Sequence, residues 1–281
     1  MKKKLLTNRF AEWILLILIR LVSSDTRFFK FVPVHEDYPK GSIRRVKRKG
    51  VNYELDISDY QEWLIYFHCK SDSSDYVLNY LGKAEIIFDI GANIGQTAFN
   101  MYQTQIHKGL DPVIYAFEPF PQTFGKFETN LLMNKHLTRI HALNLGLSNQ
   151  QGTLYMSHQN STNSGAFRMT NDTENSTAVK VTSLDTFISE QQIPRVDFIK
   201  IDVEGYELQV LEGAMKAIRQ FKPVLVFEYS VKNMEAQGGN IAEALNSLLE
   251  LGYSISTKEG LSDLNQLLRL TIQTDLICIP K

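Results

Sequence analysis

The sequence feature that most constrains the fold is a short apolar run that ends in an acid and two glycines. Residues 86–96 read Ile-Ile-Phe-Asp-Ile-Gly-Ala-Asn-Ile-Gly-Gln. An apolar run followed by a glycine turn predicts a buried parallel strand, a tight turn and then a helix over residues 96–103. Because Gly91 and Gly95 lack a Cβ atom, a ligand can approach the backbone of the turn. The stretch therefore predicts a strand–turn–helix corner that binds a ligand.

The details of this corner limit the ligands that it can bind. It has no Gly-Lys-Ser/Thr sequence, which excludes a P-loop, and Asn93 and Ile94 disrupt the G-x-G-x-x-G spacing of dinucleotide sites. Asp89 at the end of the strand would repel a pyrophosphate but attract the ammonium and sulfonium groups of S-adenosylmethionine. The alternative is an acid that caps the following helix in an ordinary α/β turn. Asp89 alone does not decide between the two.

A second acid follows the next predicted strand. Residues 112–117 are mostly apolar and are followed by Glu118 and Pro119. In a doubly wound sheet, an acid at the end of the second strand accepts hydrogen bonds from ribose hydroxyls. Pro119 ends the strand. We expect Glu118 to face a solvent-filled crevice, and acids at two consecutive strand ends favour a nucleoside-containing cofactor.

A third stretch places further acids at the same edge of the sheet. Residues 196–207 read Val-Asp-Phe-Ile-Lys-Ile-Asp-Val-Glu-Gly-Tyr-Glu and precede a helix predicted over residues 206–219. Strand alternation puts Lys200 and Asp202 on one face. A lysine in a central strand needs a carboxylate partner, so we expect Lys200 to pair with one. A structural ion pair would explain Lys200 and one acid, but not the further acid Glu204 in the turn. Glu228 lies near the end of the next predicted strand, residues 223–229.

Length and charge limit the broad class of protein. The chain has 281 residues, 43% of them apolar, which suits one large domain or a domain with an N-terminal addition. The formal net charge of −1 provides no general attraction to nucleic acid. Residues 1–50 nevertheless contain 13 Lys and Arg against 4 Asp and Glu. The two cysteines, Cys69 and Cys278, have no metal or redox spacing, which predicts a reduced, cytoplasmic protein.

We predict an N-terminal extension over residues 1–82 and a main domain over residues 83–281. The extension has an apolar helix at residues 10–22, too short for the roughly 20 residues that span a bilayer. Docking of this helix on the main domain is the preferred interpretation, and peripheral membrane contact through residues 1–30 is the alternative. Residues 43–57 predict a β-hairpin around Gly50, with a basic, solvated edge strand. The polar stretch 157–168 predicts either a linker or an active-site lid.

The ordered set of motifs resembles the FkbM family of S-adenosylmethionine-dependent methyltransferases. The motifs are residues 88–95, 116–119, 144–148, the polar stretch 157–168 and residues 198–207. The resemblance covers residues 43–230. It implies an α/β fold with the Rossmann-like, doubly wound, seven-stranded sheet of class I methyltransferases, with one antiparallel strand near the C-terminus. It also implies O-methylation, the transfer of a methyl group to a hydroxyl of a small molecule, sugar or glycan.

These motifs assign candidate residues to the cofactor and to the chemistry. The predicted cofactor-binding residues are Asp89, Gly91, Asn93, Gly95, Glu118, Pro119 and Ser148. An alcohol needs a base to accept its proton, and Asp202 is the first choice, with Glu204 and Glu228 as rivals and Lys200 as their partner. No histidine joins these acids by spacing, so no metal is predicted. The Asp-Val-Glu-Gly turn differs from the Asn/Asp-Pro-Pro-aromatic turn of enzymes that methylate nucleic acid amines, so no nucleic acid partner is expected.

Two alternative functions remain at this point. A nicotinamide-dependent oxidoreductase uses a similar sheet, but the glycine turn lacks the third glycine of the dinucleotide fingerprint. A membrane-associated binding protein with a vestigial cofactor site would explain the N-terminal segment, but the acids are intact at every expected position. The sequence predicts neither the methyl acceptor nor the oligomeric state.

Overall fold

The computed structural model describes residues 7–21, 32–67, 73–158, 167–170 and 173–281. In chain order its helices are α1 (Arg9–Leu21), α2 (Tyr60–Phe67), α3 (Gln96–His107), α4 (Pro121–Leu132), α5 (Leu184–Glu190), α6 (Glu207–Glu212), α7 (Met215–Phe221), α8 (Val231–Ala236), α9 (Ile241–Glu250) and α10 (Leu264–Leu267). Its strands are β1 (Ile43–Arg48), β2 (Val51–Asp56), β3 (Ile86–Ile90), β4 (Val113–Phe117), β5 (Ile140–Leu143), β6 (Gly146–Leu147), β7 (Gly152–His158), β8 (Phe167–Thr170), β9 (Thr177–Thr182), β10 (Phe198–Ile201), β11 (Val224–Tyr229), β12 (Tyr253–Thr257) and β13 (Thr274–Pro280). Most of the predicted lid or linker lies outside the described residues.

A seven-stranded sheet forms the centre of the fold, in the order β12-β13-β11-β10-β3-β4-β5. Neighbouring strands from β11 to β5 are parallel, whereas β13 is antiparallel to both of its neighbours. This order confirms the predicted Rossmann-like, doubly wound sheet with one antiparallel strand near the C-terminus. The chain leaves the adjacent strands β3 and β10 in opposite directions across the sheet. The crevice at their carboxyl ends is where such sheets bind ligands.

Alternating side chains of the sheet pack into two separate cores. On one side, the rings of Phe88 and Phe117 stack with their centroids 6.1 Å apart. On the other side, Tyr53 of β2 packs against Phe99 of α3 with centroids 5.8 Å apart. The predicted N-terminal extension therefore shares a core with the main domain, and the predicted boundary at residue 82 stays a prediction. A second, four-stranded sheet, β6-β9-β7-β8, was not expected.

The elements before β3 follow their sequence patterns closely. β1 and β2 form the predicted antiparallel hairpin, and Lys49 and Gly50 at its turn both have positive φ angles, of 47° and 86°. Residues Ser73–Tyr80 form a 3-10 helix. Helix α1 packs on the rest of the protein through Leu15 and Ile19, as the preferred interpretation expected. Within the described residues, none of the helices has both the length and the apolar character to cross a bilayer.

The single helix predicted over residues 206–219 is wrong, because the chain forms two short helices there. Gly213 separates α6 from α7, and its carbonyl accepts a hydrogen bond from the Asp185 backbone N–H at 2.9 Å. The Asp185 carboxylate then accepts hydrogen bonds from the backbone N–H groups of Lys216 and Ala217 in the first turn of α7. A Cβ at residue 213 would lie 2.0 Å from the carbonyl oxygen of Ser148. Apolar periodicity does not reveal these long-range contacts.

Candidate active site

Lys200 connects the carboxyl ends of β3 and β10. Its ammonium lies 3.2 Å from Asp89 Oδ1 and 3.4 Å from Asp202 Oδ2, and it donates a hydrogen bond to the carbonyl oxygen of Gly91 at 3.0 Å. Burial acts to lower the pKa of Lys200, but the two carboxylates raise it above its ordinary value, so the side chain stays cationic. The expected pairing of Lys200 with a carboxylate is confirmed, with two partners instead of one.

Asp89 lies inside the sheet and not in the open crevice. Its side chain is 0% exposed, and Lys200 is its ionic partner. The sequence suggested that Asp89 attracts the cationic groups of a ligand directly. In this geometry, the charge of Asp89 is already balanced by Lys200, so Asp89 acts on the crevice by fixing Lys200. Its assignment as a residue that contacts the cofactor stays a prediction.

The two glycines of the β3–α3 loop are required by the protein's own packing. Gly91 has a φ angle of 79°, and a Cβ there would lie 1.8 Å from the carbonyl oxygen of Asp202. Gly95 has a φ angle of 90°, and a Cβ there would lie 2.4 Å from the ring of Phe127. The sequence suggested that these glycines allow close approach of a ligand. The contacts instead show that a side chain at either position would clash with the protein itself. Gly91 instead brings Asp202 directly against the β3–α3 loop.

Glu118 is buried, and the expectation that it faces a solvent-filled crevice is wrong. The residue is 7% exposed. Its Oε2 accepts the backbone N–H of Asn93 at 3.0 Å, and its Oε1 accepts that of Phe120 at 2.9 Å. Glu118 therefore joins the β3–α3 loop to the turn after β4. Because each carboxylate oxygen can accept more than one hydrogen bond, this role leaves acceptor capacity for a ligand.

Asn93 and Pro119 lie on the two loops that Glu118 joins. Asn93 has a φ angle of 51°, and its Oδ1 atom is buried without a hydrogen-bond partner among the described residues. The carbonyl of Pro119 accepts a hydrogen bond from Asn144 Nδ2 at 3.0 Å, which also donates to the carbonyl of Glu118 at 2.9 Å. Asn144, which the sequence placed only in a motif, therefore fixes the turn after β4.

The three candidate bases differ in their surroundings. The Asp202 side chain is 46% exposed beside Lys200. Glu204 is half-buried in the turn after β10, with a φ angle of 55°. Burial, together with the negative charges of Asp202 and other nearby acids, raises the pKa of Glu228 to about 9, so Glu228 holds its proton at neutral pH. Asp202 is the best placed of the three to accept a proton.

Ser148 is not exposed to the crevice. It is 0% exposed, its backbone N–H donates to the carbonyl of Thr182 at 2.9 Å, and its hydroxyl lies 3.3 Å from the hydroxyl of Tyr206. These contacts give Ser148 a packing role in the structure. Its predicted contact with a cofactor stays a prediction that this geometry does not favour.

Sequence reasoning missed several residues around the acids. Tyr76, Thr97 and Asp275 line a cavity together with Lys200, Asp202 and Glu228. Gln273 hydrogen-bonds to Glu228 Oε1. Tyr76 and Asp275 come from opposite ends of the chain, so no local pattern could have placed them here. Among the described residues, no group of three or more His, Cys, Asp or Glu side chains is arranged to hold a metal ion.

The sequence predicted no role for Glu207, although this residue organises the turn that carries Glu204. It is 1% exposed, and its Oε1 accepts the backbone N–H groups of Val203 at 3.0 Å and Gly205 at 3.1 Å. A glutamate that follows a short glycine-containing turn at a helix start could have been recognised as a local acceptor for that turn. The position of Asp202 thus depends on two neighbours, Gly91 and the turn held by Glu207.

The buried glutamates predict that stability depends on pH. Burial raises the pKa of Glu118 and of Glu207 from 4.5 to about 7. Between these values the folded protein holds protons that the unfolded chain has released, so the free energy of unfolding falls as the pH rises. This contribution is complete below pH 4.5 and is lost as the pH passes about 7. We expect a lower melting temperature at about pH 8 than at about pH 5.5.

Glu118→Gln tests this assignment because it keeps the shape of the side chain and removes its titration. The melting temperature of Glu118→Gln should fall less between the two pH values than that of the unmodified protein. Glu128→Gln, at an exposed position of α4, is the control and should keep the original dependence. If Glu118→Gln and the unmodified protein show the same dependence, the raised pKa of Glu118 is wrong.

With this geometry established, comparison with known proteins identifies the family. Residues 89–255 match the model of the methyltransferase FkbM domain, which covers more than half of the chain. The chain belongs to the FkbM methyltransferase family. The predicted resemblance is therefore confirmed. The matched region contains Asp89, Glu118, Lys200, Asp202 and Glu228, whereas Tyr76, Gln273 and Asp275 lie outside it.

Individual relatives of this FkbM methyltransferase are distant. The hexuronic acid methyltransferase AglP of Haloferax volcanii is 29% identical over 142 residues, which are 50% of this chain and 55% of AglP. The methyltransferase sdnD of Sordaria araneosa is 32% identical over 187 residues, covering 56% of this chain and 70% of sdnD. The crystal structure of a methyltransferase FkbM from Methylobacillus flagellatus KT is 20% identical, with a TM-score of 0.47, over 70% of this chain and 44% of that one. The chain thus spans little more than half of AglP.

Proposed function

We propose that this FkbM methyltransferase transfers a methyl group from S-adenosylmethionine to a hydroxyl of a sugar, a glycan or another small molecule. The observation that carries the proposal is the direct contact between Gly91 and the Asp202 backbone. This contact puts an accessible carboxylate beside the loop of the proposed cofactor site. Membership of a methyltransferase family favours methyl transfer over the chemistry of a nicotinamide oxidoreductase.

The residues of the β3–α3 loop and of the turn after β4 would suit S-adenosylmethionine. The buried Asn93 Oδ1, which lacks a hydrogen-bond partner among the described residues, would accept a hydrogen bond from an ammonium or hydroxyl group of the ligand. Glu118 would accept hydrogen bonds from the ribose with the lone pairs that its backbone contacts leave free. Pro119 and the β3–α3 loop would form the walls on either side. The bound cofactor supplies a methyl group on a positively charged sulfur.

Asp202 would act as the base of the reaction. Methyl transfer to an alcohol requires the oxygen to be aligned with the methyl carbon and to lose its proton as the bond forms. The Lys200 ammonium lies 3.4 Å from Asp202 Oδ2 and would hold this carboxylate in place. Glu228, which is protonated at neutral pH, would donate a hydrogen bond within the same cavity and would not compete for the proton.

The acceptor would lie in the cavity between the 3-10 helix and β13. Tyr76, Glu228 and Asp275 line this space with Asp202. Lys258 pairs with Asp275 Oδ2 at 3.0 Å and lies 5.6 Å from the centroid of the Tyr76 ring. A wall that combines an aromatic ring with several hydrogen-bonding groups suits a polyhydroxylated molecule such as a sugar. The name of AglP, a hexuronic acid methyltransferase, gives further support for a sugar acceptor.

A methyl-acceptor screen tests this function. The purified chain is incubated with S-adenosylmethionine that carries a labelled methyl group, in the presence of neutral sugars, hexuronic acids, hydroxylated small molecules or amines. We expect label in the hydroxylated acceptors and none in the amines, since the site offers a base suited to an alcohol. Labelled amines, without any labelled alcohol, would contradict the proposed O-methylation.

A further inference from the structure

Helix α1 has two faces with opposite environments. Glu12, Leu15 and Ile19 lie on the face against the protein and are 1%, 6% and 8% exposed. The opposite face carries five large apolar side chains, and their exposures are 70% for Phe10, 59% for Trp13, 38% for Ile14, 37% for Ile17 and 36% for Leu18. Residues at these spacings form one continuous stripe along a helix. The stripe points away from the core.

A buried ion pair fixes the orientation of α1. Arg44 of β1 donates hydrogen bonds to both carboxylate oxygens of Glu12, at 2.6 Å and 2.8 Å. The hydroxyl of Tyr66 lies 3.5 Å from the same carboxylate. A bidentate arginine–carboxylate contact of this kind is strong and geometrically specific. The apolar stripe is therefore held outward by the fold and is not the result of a helix that lacks a docking site.

The exposed stripe is unusual for a protein surface. The rings of Phe10 and Trp13 stack with centroids 6.1 Å apart, and the three aliphatic side chains continue the same face. Single exposed apolar residues are ordinary, but a contiguous patch of large side chains marks an interaction surface. Each of these side chains would gain free energy on removal from water. The remaining question is which surface covers them.

The charge around α1 identifies the occupant. Residues 1–20 contain Lys2, Lys3, Lys4, Arg9 and Arg20, whereas Glu12 is the one acid and is already paired with Arg44. Lys47 and Lys49 on the neighbouring hairpin are exposed, whereas Arg45 there pairs with Glu54 at 2.7 Å. A symmetric pair of chains would bring these positive charges against each other. An apolar stripe with aromatic residues and a basic surround instead fits a lipid surface with anionic headgroups.

We infer that α1 docks this protein on an anionic lipid bilayer. The helix would lie in the plane of the interface, with the stripe from Phe10 to Leu18 among the upper acyl chains, and the net positive charge of the N-terminal sequence would attract the anionic headgroups. Its 13 residues span about 20 Å as a helix, too short to cross the bilayer. Docking through α1 is independent of the proposed methyl transfer, since Glu12 and the stripe lie outside the crevice residues.

Sedimentation with lipid vesicles tests the inference. The full chain is mixed with vesicles of phosphatidylcholine alone or of phosphatidylcholine with phosphatidylglycerol. We expect binding to the anionic vesicles, weakened by added salt, and much weaker binding to the neutral ones. Phe10→Ser and Trp13→Ser should each lower the partition coefficient roughly tenfold or more, since each removes one large apolar side chain that would be buried in the lipid. Both residues are exposed, so the variants should fold normally.

Ile272→Ser is a matched control, because Ile272 is 67% exposed but lies far along the chain, between α10 and β13. It should bind vesicles as well as the unmodified protein. Tryptophan fluorescence gives a second readout. The other tryptophan, Trp63, is buried and donates a hydrogen bond to the carbonyl of Pro33 at 2.9 Å, so a change on vesicle binding would come from Trp13. A blue shift with anionic vesicles should be absent from Trp13→Ser. No vesicle binding, equal loss in Ile272→Ser, or a dimer in solution that Trp13→Ser dissociates would overturn the inference.

Discussion

Asp202→Asn should lower the rate of methyl transfer by about 10²–10⁴, the usual contribution of a general base. The substitution keeps the shape of the side chain and its place beside Lys200, but it removes the group that accepts the proton. The affinity for S-adenosylmethionine should change little, because Asn93 and Glu118 are the proposed contacts to the cofactor. The rate is measured with saturating cofactor and an acceptor found by the methyl-acceptor screen.

The matched control for this variant is Asp111→Asn. Asp111 is an exposed acid that pairs with Arg139. It lies just before β4, at the amino-terminal end of the strand, whereas the candidate site lies at the carboxyl ends. Asp111→Asn should leave both the rate of methyl transfer and the affinity for S-adenosylmethionine unchanged. If Asp202→Asn abolishes cofactor binding instead of turnover, Asp202 has a structural or cofactor-binding role, and Glu204 becomes the leading base. If turnover is unaffected, the acceptor needs no base, which is the behaviour of a carboxylate acceptor.

Lys200→Met should lower the free energy of unfolding by about 3–5 kcal/mol, the range for a buried ion pair that loses one partner. Asp89 would remain 0% exposed and would lose its counter-charge. The double variant Lys200→Met with Asp89→Asn removes both charges, so it should be more stable than Lys200→Met alone. Chemical denaturation of the variants gives these free energies.

Lys258→Met is the control that separates the effect of burial on the free energy of unfolding from the effect of losing any ion pair. Lys258 also pairs with an aspartate, Asp275, but the two side chains are 35% and 21% exposed. Because water screens this pair, its loss should cost about 0–1 kcal/mol. If Lys200→Met is as mild as Lys258→Met, or if the double variant is less stable than Lys200→Met, Lys200 does not serve as the buried counter-charge of Asp89.

The sequence was informative where the chemistry is local. An apolar run that ends in an acid and a turn has few solutions other than a parallel strand, so β3, β4 and β10 were predictable as strands. The sheet that they form was implied by the family resemblance. The pairing of Lys200 followed from the cost of a lysine in a central strand. Family membership followed from several motifs in a fixed order, each of which is weak alone.

The sequence was less informative where contacts join distant segments. The burial of Glu118 depends on the backbone of Asn93, and the need for Gly95 depends on the ring of Phe127. Tyr76 and Asp275 reach the proposed acceptor cavity from outside the matched family region. Such contacts are set by tertiary packing, which strand and helix periodicity does not encode.

Calorimetric titration of the purified chain with S-adenosylmethionine and with NAD is the most direct test of the proposed cofactor site. We expect binding of S-adenosylmethionine and no binding of NAD. Glu118→Gln should weaken the binding of S-adenosylmethionine by about 1.5–3 kcal/mol, the range for a hydrogen bond to a charged group. Binding of NAD together with no detectable binding of S-adenosylmethionine would contradict the proposed site and the function built on it.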